Sequence, residues 1–181
     1  MTTQLNNFVD LNLSDILLQA IASLGFEKPS PIQEKTIPLM LQNRDVIALA
    51  QTGTGKTAAF SLPILQNLDI RQNIPAALIL APTRELAIQV GEHIESLAVN
   101  FKDKSMVTVL CGGQDYRPQL KKLRSGTKIV VGTPGRVLDH INRGSLQLHG
   151  LKTFVLDEAD EMLRMGFIEA VETVLDSIPQ K

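Results

Sequence analysis

Between Asp45 and Thr57 the chain reads Asp-Val-Ile-Ala-Leu-Ala-Gln-Thr-Gly-Thr-Gly-Lys-Thr, and this stretch limits the possible folds more than any other. Val46 to Ala50 form a continuous apolar run, the pattern of a strand buried inside a parallel sheet covered on both faces. Gln51, Thr52, Gly53, Thr54 and Gly55 follow as a glycine-bearing loop, and Lys56 and Thr57 open a helical pattern through Ala58, Ala59, Phe60 and Leu62. Strand, tight loop and helix in that order are the setting of a phosphate-binding P-loop. Such a loop turns backbone N–H groups inward and adds the positive end of a helix dipole, so it holds a polyphosphate with few charged side chains. Lys56 is expected to reach the β- and γ-phosphates and the Thr57 hydroxyl to ligate Mg²⁺. The usual pattern begins with Gly, whereas this chain has Ala50. With either residue allowed first, the pattern arises by chance in about one or two of a hundred chains this long. A glycine turn capping a helix is the plainer alternative.

A chain of 181 residues, 44 % hydrophobic and with net charge −1, can bury one sizeable core, and one compact domain is expected. The near-neutral balance carries no global sign of nucleic-acid binding, so any such surface is local. The single cysteine, Cys111, forbids internal disulfides and has no metal-ligand spacing around it. His93, His140 and His149 are scattered and read as surface or packing residues. Met1 to Phe8 show no basic segment followed by an apolar core, and no apolar run approaches about eighteen residues. A soluble, cytoplasmic protein with no membrane contact is expected.

Leu13, Ile16, Leu17, Ala20, Ile21 and Leu24 recur at helical spacing, with Ser14 or Asn12 as cap and Gly25 as stop. Pro29 and Pro31 then fix a rigid turn before a second helix from about Pro31 to Leu41. By itself Gly25 to Gln33 reads as a connector with Ser30 as N-cap. Beyond the P-loop, buried strands are predicted at Ala76 to Ala81, Met106 to Leu110, Ile129 to Val131 and Phe154 to Leu156. Helices are predicted along Leu86, Val90, Ile94 and Leu97, at Pro118 to Arg124, and as one last helix carrying Met162, Phe167, Val171, Val174 and Ile178. The alternation argues for an α/β fold with a mainly parallel central sheet and helices on both faces, whose ligands collect at the carboxyl ends of the strands.

Those ends carry chemistry. Phe154 to Asp157 deliver a carboxylate that suits Mg²⁺, through water, and Glu158 is placed to take a proton from water attacking a γ-phosphate. The plainer alternative is an acidic first turn stabilised by the helix dipole. Thr83-Arg84, Gly112-Gly113 and Thr133-Pro134-Gly135-Arg136 each pair exposed amides with an Arg or a hydroxyl, which suits a line of phosphates. Each alone also reads as a cap or turn. Amide contacts to phosphate and sugar carry little base information, so such a surface binds strands without reading sequence.

Together these motifs resemble the first RecA-like domain of DEAD-box ATP-dependent RNA helicases, a P-loop NTPase fold, over essentially the whole chain from Phe8. Ala50 to Thr57 match motif I with its initial Ala, and Asp157 to Asp160 spell the motif that names the family. Pro82 to Ala87 match its Ia element, Thr133 to Arg136 its TPGR element, and Gly25 to Gln33, with Phe8 upstream, its Q motif. The resemblance implies that Gln33 reads the adenine edge and Phe26 stacks on the base, which displaces the connector reading. It further implies RNA contact, mostly to the sugar-phosphate backbone, through Thr83, Arg84, Gly113, Thr133 and Arg136. Asp160 would couple ATP to RNA through a Ser-Ala-Thr motif. ATP and Mg²⁺ are the implied cofactors, and RNA-stimulated ATP hydrolysis coupled to duplex unwinding or remodelling is the implied activity.

The chain stops at Lys181, before that Ser-Ala-Thr motif and before the family's second RecA-like domain, which supplies arginine fingers and half of the RNA cleft. Residues 1–181 are therefore expected to be the ATP-binding half of a monomeric parent, largely inactive in isolation. Two other readings remain open on the residues. One is an ATP-dependent RNA clamp that does not unwind; the other is a P-loop small-molecule kinase, for which no acceptor motif or lid is visible.

Overall fold

The computed structural model describes residues 7–103 and 106–179; the leader Met1 to Asn6 and the last residues Gln180 and Lys181 lie outside the described residues. Two compact units are formed, Met1–Leu68 with His93–Lys102 and Asp69–Glu92 with Asp103–Lys181.

The first unit is helical. A 3₁₀ turn at Phe8–Leu11 precedes α1 (Asp15–Ser23), α2 (Pro31–Leu41) and α3 (Lys56–Gln66), and the last turns of α4 (Arg84–Leu97) also belong here. Ser14 occupies the N-cap of α1, and its N–H donates to the Gln66 side chain at 2.9 Å, which ties the start of α1 to the end of α3. Phe8, Leu11, Leu17, Ile21, Ile37, Leu62 and Leu65 are buried. Phe8, isolated in the sequence, is thus a core residue.

The second unit contains β1 (Ala77–Leu80), β2 (Val107–Leu110), α5 (Tyr116–Arg124), β3 (Ile129–Gly132), α6 (Pro134–Asn142), β4 (Thr153–Leu156), α7 (Ala159–Arg164) and α8 (Ile168–Asp176), together with the first turns of α4. Its sheet is entirely parallel, in the order β2-β3-β1-β4. Leu80 pairs with both Gly132 and Leu156, and Leu110 pairs with Gly132, so the four strands end in one row. Strand side chains alternate between faces. Leu78, Leu80, Leu110 and Val130 face a cluster with Val137, Leu146, Leu148, Leu151, Met162 and Val174 from α6, the loop after it, α7 and α8. On the other face, Gly91 of α4 comes against Val109 and Val107.

Three expectations need correction. Val46 to Ala50 form no strand: no ladder among the described residues includes 44–50, and Ile47 and Leu49 are 96 % and 94 % exposed. An apolar run expresses a preference for burial, whereas a strand also needs a partner in register, and the loop that follows is held from its helical side instead. The last helix is two, because the chain turns at Gly166 with φ +78°, while the Phe167 N–H returns to Met162 O at 3.0 Å and closes α7. Finally, α6 begins directly at Pro134, where the sequence reading stopped at a loop.

Lys128, just before β3, is 1 % exposed, with Nζ 3.0 Å from Asn73 Oδ1 and 3.7 Å from Asp103 Oδ2. Removing a partner of a buried charge leaves that charge uncompensated, whereas removing the charge itself leaves Asp103, 32 % exposed at its side chain, within reach of water. In urea unfolding, Asn73→Ala is expected to cost about 1–3 kcal/mol and Lys128→Met less than that. Equal losses would show that the ammonium itself is needed.

Candidate functional site

In the first unit, the glycine loop is built around α3. Gly53 and Gly55 have φ +81° and +91°, and Gly55 is the N-cap of α3, so Lys56 and Thr57 are its first two residues. Thr54 Oγ1 donates to Gln51 O at 2.7 Å and closes the loop on itself. Gln51, Thr52 and Gly53 are exposed, and no ion pair or side-chain hydrogen bond engages Lys56 among the described residues. A helix N-terminus with its first amides, an uncommitted ammonium and an exposed Gly53 suits a polyphosphate.

Gln33, 2 % exposed, braces this loop. It is the third residue of α2; its Oε1 accepts from the Ser30 N–H at 2.9 Å, and its Nε2 donates to Gly55 O at 3.1 Å. A Cβ on Gly55 would collide with the Gln33 amide, so the position requires glycine for space as well as for its positive φ. Ser30 is the N-cap of α2 as the connector reading has it, and the same turn places Gln33 beside the phosphate loop. Phe26 is half-buried, edge-on to Phe8 at 6.4 Å and to His93 at 6.3 Å.

In the second unit, the aligned strand ends bring the remaining candidates to one edge of the sheet. Along that edge, following the strand order, come Gly112-Gly113 after β2, Thr133 to Arg136 after β3, Pro82 to Arg84 after β1 and Asp157 to Asp160 after β4. Gly113 is exposed with φ +72°, and Arg84 Nη1 lies 3.5 Å from where a Cβ on it would stand. Thr83 Oγ1 accepts from the Leu86 N–H at 3.2 Å, so the hydroxyl is also a helix cap, whereas Thr133 makes no capping bond with its side chain. Burial pushes the Cys111 thiol up, while the Arg84 and Arg136 charges act in the opposite sense. Asp157 is 8 % exposed, and its N–H donates to Leu80 O at 2.9 Å. Glu158 caps α7 in the left-handed region, φ 54° and ψ 50°, a conformation costing about 1–2 kcal/mol for a residue with a Cβ. Asp160 lies 3.5 Å from Arg164 on the exposed face of α7.

The sequence reading missed a polar cluster behind Arg136. Gln119 and His140 are 4 % and 0 % exposed. Gln119 Oε1 receives Arg136 Nη1 at 3.2 Å and lies 3.1 Å from His140 Nε2. Tyr116 stacks on His140 with ring centroids 4.2 Å apart. No periodicity reveals such a cluster, because polar residues are buried here through partners on another helix. Burial, then the Arg136 charge, lowers the His140 pKa from the ordinary 6.5 to about 4; burial also lowers that of His93. The described residues hold no group of three or more His, Cys, Asp or Glu suited to a metal, and none of their helices is long and apolar enough to cross a membrane.

A family model described as DEAD/DEAH box helicase matches residues 30–181. The chain is 57 % identical over 173 residues to the ATP-dependent RNA helicase DeaD of Escherichia coli (strain K12), covering 96 % of this chain and 27 % of that protein. It is 50 % identical over 175 residues to the DEAD-box ATP-dependent RNA helicase CshA of Geobacillus kaustophilus (strain HTA426), covering 97 % and 37 %. Among solved structures, a DEAD box protein from the hyperthermophile Methanococcus jannaschii superposes with TM-score 0.91 at 50 % identity over 98 % of this chain and 48 % of that one. Dbp5 of S. cerevisiae bound to RNA and ADP BeF3 superposes with TM-score 0.87 at 38 % identity over 97 % and 44 %. The chain thus spans about a quarter to a third of the curated relatives' length.

A histidine whose folded pKa is depressed leaves the unfolded state binding more protons between the two values, so stability is lost as pH falls from about 6.5 to about 4. His140→Gln, which removes that titration, is expected to flatten this acid limb in thermal melts. An unchanged slope would assign the acid sensitivity to other groups.

Proposed function

The chain belongs to the DEAD/DEAH box helicase family, and from that premise we propose that it is the ATP-binding half of an ATP-dependent RNA helicase, in which RNA-stimulated ATP hydrolysis drives unwinding or remodelling of duplexes. The observation that carries this reading is the row of loops at one sheet edge, where amide-rich turns and two arginines adjoin Asp157 and Glu158. In this mechanism the amides of Gln51 to Gly55 and the N-terminus of α3 receive the phosphates, and Lys56 adds the charge that neutralises them. Gln33 presents its remaining amide hydrogen and lone pair to the adenine edge, and Phe26 offers its ring to the base. Thr57 directly and Asp157 through water would offer Mg²⁺ the hard oxygen surroundings it takes, and the ion would neutralise charge on the phosphates. Glu158 acts as general base toward the attacking water.

Thr83, Arg84, Gly113, Thr133 and Arg136 hold single-stranded RNA by phosphate and sugar, independently of sequence. Asp160 relays nucleotide state to that surface. A second RecA-like domain completes the nucleotide site with arginine fingers and closes the RNA groove, and the working unit is a monomer in the cytoplasm. The relatives' names favour neither a non-unwinding clamp nor a small-molecule kinase.

Glu158→Gln in the complete protein is expected to keep ATP binding and ATP-dependent RNA binding while lowering turnover by about two to four powers of ten, because the amide retains shape but takes no proton. Near-parental turnover would assign activation of the water to another group. Gln33→Ala removes both a base-reading amide and the bond to Gly55 O. Nucleotide titrations should therefore show weaker binding of ATP and GTP alike, with the larger loss for ATP. An unchanged ATP-to-GTP ratio would confine Gln33 to bracing the loop.

A further inference from the structure

Arg136 sits in an arrangement that its family resemblance does not explain. Its Nη1 donates to Gln114 O at 3.3 Å and to Gln119 Oε1 at 3.2 Å, which engages both hydrogens of that nitrogen. Among the described residues nothing engages Nε or Nη2, the edge that offers two parallel N–H groups to a phosphate. Gln119 in turn has no freedom to rotate its amide. Its Nε2 donates to Cys111 O at 3.1 Å, so Oε1 must face the guanidinium. Since Oε1 accepts from a permanent cation, the His140 Nε2 at 3.1 Å also faces an acceptor and must carry the imidazole proton. That leaves Nδ1 as an acceptor, 2.9 Å from the Ser145 hydroxyl, whose single hydrogen is shared between Nδ1 and His140 O at 3.0 Å while its oxygen accepts from Tyr116 Oη at 2.8 Å. Tyr116 lies flat on the imidazole, 7° from parallel, with the Arg136 and Arg143 guanidinium carbons 5.9 and 4.9 Å from its ring centre.

We infer that Gln119 and His140 are positioning residues for RNA binding: they fix the Arg136 guanidinium by one nitrogen and leave its bidentate edge set for a backbone phosphate. The inference rests on the proposed role of Arg136 as an RNA contact. Its physical content is preorganisation. A free arginine gives up side-chain entropy on meeting a phosphate, whereas one already held gives up less. The neutral, Nε2-protonated imidazole is the one form that both donates to Gln119 and adds no charge beside Arg136. Asp139 and Arg143, the other charged groups influencing His140, act on it in opposite senses.

The test is a double-mutant cycle in the complete protein, reading affinity for a single-stranded homopolymeric RNA. Arg136→Ala is expected to weaken binding about tenfold or more, the loss of a charge-assisted bidentate contact. His140→Phe, which keeps the ring on Tyr116 but removes the N–H, should weaken it about threefold or more alone and have no further effect in the Arg136→Ala background. His140→Gln, which restores a donor near Nε2, should bind RNA like the parent, a rescue that a merely structural role would not predict. Additive losses in the double mutant would overturn the positioning role while leaving Arg136 as an RNA contact. An Arg136→Ala variant with parental affinity would overturn that contact and the inference with it. Should His140→Phe fail to fold, Gln119→Met carries the same cycle, with coupling or additivity read in the same way.

Discussion

Parallel register is the constraint from which the second unit's chemistry follows. When β2, β3, β1 and β4 all run the same way and end in one row, every loop leaving a strand at its carboxyl end is delivered to one edge. Four segments far apart in sequence are thereby brought to the same edge. The sheet achieves this through burial: Leu78, Leu80, Leu110 and Val130 are fully enclosed, and shifting any strand by one residue would turn its core side chains to the opposite face. Fidelity of the edge is thus maintained by residues that never approach a ligand.

The first unit solves a different problem, namely how to hold a loop of small and flexible residues without filling it. Helix α2 contributes a single side chain, Gln33, whose two amide atoms join the start of one helix to the cap of another. An amide can do this and retain one N–H and one lone pair, which neither a carboxylate nor an ammonium can. The same group that braces the glycine loop thus keeps one donor and one acceptor, which the proposed function assigns to a base edge.

Strands from Ala77 to Leu156 were legible to within a residue because short apolar runs bounded by Gly, Pro and polar turns leave few alternatives. Val46 to Ala50 show where that signal stops, since an identical pattern stands exposed when no ladder forms on it. The break at Gly166 was missed because apolar spacing continues across it; only the positive φ reveals two helices. Candidate site residues were readable as motifs, as they must lie in loops of restricted composition. Gln119, His140 and Lys128 were not: a buried polar group is acceptable only through its partners, and partners are set by tertiary structure. Sequence composition alone makes Gln119 and Lys128 look like surface and leaves His140 open between surface and packing.

With net charge −1, affinity for a polyanion cannot come from the field of the whole chain. On the proposed function it comes from groups whose placement is set in advance by the second unit. Glu158 is held in the left-handed region at the N-cap of α7, and Arg136 is fastened by one nitrogen to Gln114 O and to Gln119, which in turn meets the buried, neutral His140. The left-handed backbone is unfavourable for Glu158 in isolation, whereas Arg136 is held by the bonds it makes. The well-packed sheet and the strained edge are therefore one design: burial of Leu78 to Leu80 and their neighbours supplies the stability that lets a few polar residues stay in conformations suited to phosphate and water.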